Sequence, residues 1–243
     1  MMNIPQLILT AMAALIALTI HEFAHGYVAY KLGDNTARNM GRLTLNPIKH
    51  LDVFGTICMV LFHFGWAKPV PINPRNFKNP RKGFALTAMA GPAVNLVLGF
   101  FTSLIYILCF YAFREFDIAF LNSLQLNTLS FLQYFFIINI GLGVFNMIPV
   151  PPFDGSRILN VVLPAKWYFK VMKHERQIYW GVIGWLFLGQ YVYSALISIP
   201  IIARTPVLAI IAKLFSLSDI LSDTIMAIAN GMLSFWILIF GLG

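Results

Sequence analysis

Five long apolar runs dominate the chain, separated by short polar or basic connections. They cover about residues 4–30, 84–113, 129–158, 178–203 and 220–243. A helix needs about 20 apolar residues, at 1.5 Å each, to cross about 30 Å of hydrocarbon, and each run is long enough. The pattern predicts an all-α polytopic membrane protein with about five transmembrane helices. Two of the runs are not plain lipid-facing helices. The second contains Gly91, Pro92 and Asn95, and the third is broken by Pro149, Pro151 and Pro152. Irregular backbone at membrane depth is tolerated where protein or a cavity surrounds it. Residues 1–165 therefore read as a three-helix core, and 166–243 as a C-terminal membrane region. Val207 to Leu217 is short and carries Lys213, as an interfacial helix would.

The connection between the first two runs is different in kind. Residues 36–80 are rich in Gly, Pro and Asn and read as a re-entrant loop region. Val53 to Trp66 is apolar but too short to span. Its Ile57, Val60, Phe62, Phe64 and Trp66 favour strand. Met40 to Leu45 alternates polar and apolar side chains at Arg42, Leu43, Thr44 and Leu45. The expectation is a small β-hairpin that dips into the membrane.

Composition agrees with the membrane class. The chain is 59% hydrophobic, with a mean hydropathy of +0.77 and only 11% charged residues, against about 25% in soluble domains. The net charge of +8 does not imply nucleic acid, because the cations sit between the apolar runs. Nine of the 17 Lys and Arg residues lie from Lys31 to Lys82, and Lys166, Lys170, Lys173 and Arg176 form a second group. By the positive-inside rule both connections are cytoplasmic. The first and third runs then cross in the same direction, with His21–His25 and Asp154 both toward the cytoplasmic side. Cys58 and Cys109 lie inside apolar runs and suggest no disulfide framework. The first run lacks a basic leader and continues into His21, so a retained span is expected rather than a cleaved signal.

His21-Glu22-Phe23-Ala24-His25 has the form H-E-x-x-H. On a helix, side chains four apart share a face, so both imidazoles can reach one zinc ion. Glu22, beside them, can act as general base on an activated water. The competing reading is two structurally bonded histidines and a surface glutamate. Three ionisable residues in an apolar span are costly, which favours a functional role. A catalytic zinc site needs a third protein ligand. Asp154, at the proline-broken end of the third run, is well placed, while His50, Asp52 and His63 are weaker rivals on the loop region. Read without this context, Asp154 before Gly155 would be an ordinary turn residue.

HEFAH at 21–25, GPAVN at 91–95 and NMIPVPPFDG at 146–155 together resemble the site-2 protease family of intramembrane zinc metalloproteases. GWAKPVPINP at 65–74 resembles its compact prokaryotic members. The resemblance covers about residues 10–165 and makes 1–165 the catalytic membrane core. It implies zinc bound by His21, His25 and Asp154, with Glu22 catalytic. It also implies that Asn146 positions substrate or polarises its carbonyl, although an amide satisfying the broken helix fits that position equally well. Asn95 reads as a helix-packing residue. The implied reaction is hydrolysis of peptide bonds within or near transmembrane segments, in regulated intramembrane proteolysis. The implied partners are single-span membrane proteins and the lipid bilayer. The implied location is the prokaryotic cytoplasmic membrane, multi-pass, with the active site toward the cytoplasm. No stretch is long enough for the PDZ or nucleotide-binding domain that many members carry. A metal-ion transporter would show an internal repeat, and none is present. A non-catalytic scaffold would have lost one of the four site residues.

Overall fold

The computed structural model describes residues 3–55, 67–115 and 122–242. Ten α-helices are described: α1 (Ile4–Lys31), α2 (Thr36–Asn39), α3 (Pro80–Glu115), α4 (Asn122–Asn146), α5 (Gly155–Val162), α6 (Ala165–Lys173), α7 (Glu175–Ile197), α8 (Pro200–Arg204), α9 (Pro206–Lys213) and α10 (Leu217–Phe240). Five of them, α1, α3, α4, α7 and α10, are long and apolar enough to cross a membrane. The predicted spans are thus present with shifted ends. Local chemistry sets those ends. Asn3 and Gln6 cap the start of α1 reciprocally, each side chain accepting the other's backbone N–H. Ser216 caps α10, and Gly241 closes it in the left-handed conformation at φ 62°. The third span stops at Asn146, because the prolines that follow cannot continue an α-helix.

The helix α3 is the hub, packing against α1, α4, α5 and α10. The helices α1, α3 and α4 pack on one another, and α10 packs on α3 and α4 as well. Phe136 and Ile140 of α4 are buried with Ala229 of α10, and Ile225, Ile228, Met232 and Leu233 pack around them. Trp236 donates its indole N–H to Ser103 Oγ at 3.0 Å on α3. The helix α7 packs on α8, α9 and α10, and its first residue, Glu175, pairs with Arg157 of α5 at 2.6 Å. The short helix α9 (Pro206–Lys213) overlaps the segment Val207 to Leu217.

The β-hairpin expectation needs correction. Among the described residues there is no strand, only a single antiparallel bridge between Leu51 and Ala67. Met40 to Leu45 is a series of turns and bends. Gly41 turns the chain at φ 63°, and Asn46 then caps a 3-10 turn over Pro47–His50. The N–H groups of Met40, Gly41 and Arg42 bond back to the carbonyls of Thr36, Arg38 and Ala37, and those of Asn46 and Ile48 bond to the side chains of Thr44 and Asn46, so none enters a ladder. Val53–Gly55 is helical, with Gly55 N–H bonded to Asp52 Oδ1 at 2.8 Å. The predicted strand from Ile57 to Phe64 lies outside the described residues.

Candidate active site

On α1, His21 and His25 project from one face, and both are buried. Their Nε2 atoms lie 3.0 Å apart, and each is 3.2 Å from Asp154 Oδ2. A tetrahedral site with bonds of about 2.0–2.1 Å has ligand edges of about 3.3 Å. The three atoms therefore stand close to ligating separation, and they form the one such His/Asp cluster among the described residues.

The partners of the other ring nitrogens fix the tautomers. His25 Nδ1 lies 2.7 Å from the Thr87 carbonyl, which can only accept, so Nδ1 carries the proton. His21 Nδ1 lies 2.5 Å from Asn95 Oδ1. The orientation of that amide follows from a chain of bonds. Asn139 Nδ2 donates to Phe135 O at 2.8 Å, which leaves Asn139 Oδ1 to accept from Asn95 Nδ2 at 2.7 Å. Asn95 Oδ1 then accepts from His21. Both Nε2 lone pairs are thereby directed at Asp154. Two lone pairs and a carboxylate aimed at one point repel unless a cation lies among them, so the donor set fits a divalent metal. Outer hydrogen bonds of this kind orient ligating imidazoles.

Gly91 keeps that space open. A methyl group there would lie 2.5 Å from His25 Nε2 and 2.6 Å from His21 Nε2. Asp154 is brought to the two histidines by the segment after α4. After α4 ends, the chain turns through the prolines, and Phe153 buries its ring against Phe145 at 4.4 Å between centroids. Asp154 then immediately precedes α5. Gly155 is required by close approach, since a Cβ would lie 2.4 Å from the carbonyl oxygens of Met147 and Ile148. The far end of α5 is held by Arg81 of α3, which donates to the carbonyls of Asn160 and Leu163.

Glu22 is not part of the ligand cluster. Its Oε2 accepts the Val70 N–H at 2.8 Å, leaving the other oxygen for a reacting proton. The loop carrying Val70 is secured along its length. Arg42 donates to the Lys68 and Pro69 carbonyls, and Lys68 N–H bonds to His50 O. Buried Asp34 accepts from Asn73 N–H and Asn76 Nδ2, both at 2.7 Å, and from Thr36. Burial works to raise the Asp34 pKa, but these hydrogen bonds outweigh it and hold the carboxyl below its ordinary value.

Of the remaining candidates, Asn146 donates Nδ2 back to Leu142 O at 3.0 Å, within its own helix. His50 is buried, with Nε2 bonded to Thr44 O, and Asp52 caps its own turn. Neither joins the cluster, and His63 lies outside the described residues. Asn95 is more than a packing residue, because it holds His21. Gly91 and Asn95 are four residues apart in an apolar run, and that spacing was the available signal. Asn139 and Val70 carried no signal beyond their residue type.

The sequence model of peptidase family M50 matches residues 9–188. The chain belongs to peptidase family M50. Among its M50 relatives, YwhC of Bacillus subtilis (strain 168), provisionally named a zinc metalloprotease, is 42% identical over 193 residues, covering 77% of this chain and 84% of that protein. Rip2 of Mycolicibacterium smegmatis, named in the same provisional way, is 29% identical over 60% of this chain and 54% of its own length. The zinc metalloprotease MJ0392 of Methanocaldococcus jannaschii is 31% identical over 65% of this chain and 35% of its own length. No solved structure matches the chain. Family membership makes the chain a peptidase, and its five apolar helices make it a multi-pass membrane protein.

Proposed function

We propose that this M50 peptidase hydrolyses peptide bonds within or beside transmembrane segments of membrane proteins, using zinc held by His21, His25 and Asp154. The observation that carries this reading is the convergence of the three ligand atoms within 3.0–3.2 Å of one another, with Glu22 adjacent on the same helix. The zinc metalloprotease names of the relatives support the choice of metal.

A bound zinc ion supplies Lewis acidity, polarising the scissile carbonyl and acidifying the attacking water. The chain's own residues do the rest. Glu22 takes the proton of the attacking water on the oxygen that Val70 does not occupy, and passes it to the leaving amine. The Val70 N–H orients that carboxylate. Asn146 keeps one amide hydrogen beyond its bond to Leu142, and donates it to the substrate carbonyl as negative charge develops there. Asn95 and Thr87 hold the imidazoles, so no ring must reorient during turnover. A substrate helix must unwind locally before attack, because its amides are otherwise engaged in internal bonds. Substrates are single-span membrane proteins cut in regulated intramembrane proteolysis. The basic connections set the orientation, with the site opening toward the cytoplasmic side of a prokaryotic cytoplasmic membrane.

The test pairs zinc analysis with cleavage of a single-span substrate by purified protein. Glu22→Gln should keep about one zinc per chain and lose cleavage by about 10²–10⁴-fold. His21→Ala should lose both. Substantial cleavage by Glu22→Gln would overturn the mechanism.

A further inference from the structure

Away from the active site, a cavity lies where α1 ends and α3 begins. It has a volume of about 410 Å³, within the range of small-ligand sites, and its wall includes Gly33 and the buried ring of Phe77. Three cations border it: Lys31 on the last turn of α1, Lys78 on the connecting loop, and Lys82 on the first turn of α3. Among the described residues, the carboxylate ion pairs involve His21, His25, Arg157 and Lys213, so none neutralises these three lysines.

Each helix continues the site in the same way, one turn deeper into its apolar run. Four residues before Lys31, Tyr27 is exposed, and the Lys31 ammonium lies 5.4 Å from its ring centroid. Four residues after Lys82, Leu86 lines the cavity and is exposed. Cations at the ends of two spans, with exposed Tyr and Leu below them, match the profile of a phospholipid. A phosphodiester would meet the lysines, and the glycerol and upper acyl chains would meet Leu86 and Tyr27. A soluble anion would make no use of the exposed apolar turn.

We propose that this cavity binds the headgroup of an anionic phospholipid. Its wall adjoins Asp34 and Asn76, whose hydrogen bond secures the loop on Glu22, but binding itself requires nothing of the active site. A lysine near a membrane surface contributes about fivefold to the binding of anionic lipid, so three contribute at most about a hundredfold.

The full chain, purified in neutral detergent, is titrated with dihexanoyl phosphatidylglycerol, dihexanoyl phosphatidylcholine and inorganic phosphate, with occupancy read by native mass spectrometry. The expected result is at least a tenfold preference for phosphatidylglycerol over phosphatidylcholine, with phosphate much weaker than either lipid. The combined variant Lys31→Gln, Lys78→Gln, Lys82→Gln should lose the preference, and the matching Lys→Arg variant should keep it. A control of equal charge change, Lys166→Gln, Lys170→Gln, Lys173→Gln on α6, should also keep it. Zinc content verifies that each variant is folded, and the three single Lys→Gln variants provide the same comparison if the combined one is not. Equal loss in the α6 control would mean diffuse charge and overturn the site. So would an unchanged preference in the cavity variants, or phosphate binding as tightly as the anionic lipid.

Discussion

Replacing Gly91 with alanine tests the metal site through a group that is itself no ligand. The added Cβ would lie 2.5 Å and 2.6 Å from the two Nε2 atoms, where ordinary contact begins at 3.4 Å, an overlap of 0.8–0.9 Å. The rings cannot simply retreat. Each is tied through Nδ1 to α3, the helix that carries Gly91, by Asn95 Oδ1 at 2.5 Å and Thr87 O at 2.7 Å. If the rings tilt, those bonds break; if α3 backs away, its packing on α1 and α4 opens. Metal sites tolerate about 0.2 Å of error in ligand distance, so the displacement is about four times too large. Loss of an outer hydrogen bond alone costs about 10–100-fold in metal affinity. Gly91→Ala should therefore weaken zinc binding by at least about 100-fold and lower cleavage in parallel. Overpacking adds about 1–3 kcal/mol of destabilisation. The assay is zinc competition against a chromophoric chelator, with thermal unfolding measured alongside. Gly184→Ala is the control, since a Cβ there meets nothing within 4 Å. Zinc affinity within about threefold of wild type in a folded Gly91→Ala protein would refute the site geometry.

Asn95→Ala should cost about 10–100-fold in zinc affinity, and Asn139→Ala a smaller loss, because Asn139 acts only through Asn95; if chelator competition showed lower thermal stability with unchanged affinity, the pair would be packing residues alone. The depressed Asp34 pKa gives a stabilisation that is complete above the ordinary carboxylate value of about 3.9 and is lost as pH falls through the lower folded-state value. Asp34→Asn should flatten that acid limb in pH-dependent unfolding, and an identical limb would contradict the role of Asp34 in holding the loop. For topology, Arg75→Cys in a background lacking Cys58 and Cys109 should resist an impermeant thiol reagent applied from outside, and external labelling would reverse the proposed orientation.

The parts of this protein legible in the sequence are those set by short-range periodicity. Five apolar runs of helical length became five long helices, because a span must satisfy its backbone within itself. His21 and His25 could be paired from their spacing, since four residues bring side chains to one helix face. Asp154 was legible as a polar residue at a proline break, but only the geometry places it, rather than His50 or Asp52, 3.2 Å from both histidines. The alternation at Arg42–Leu45 does not make a strand, because the Arg42 N–H turns back to the Ala37 carbonyl and His50 takes the Thr44 carbonyl, leaving no ladder to form. What tertiary structure alone decided is the set of contacts between helices. Asn95 meets His21, and Asn139 meets Asn95, only at the particular register of α1, α3 and α4. Glu22 meets Val70 only after Arg42, His50 and Asp34 have secured a loop distant in sequence. Such contacts depend on the relative placement of elements, which no local pattern encodes. The sequence determined which residues could bind a metal, and packing decided which of their atoms face it.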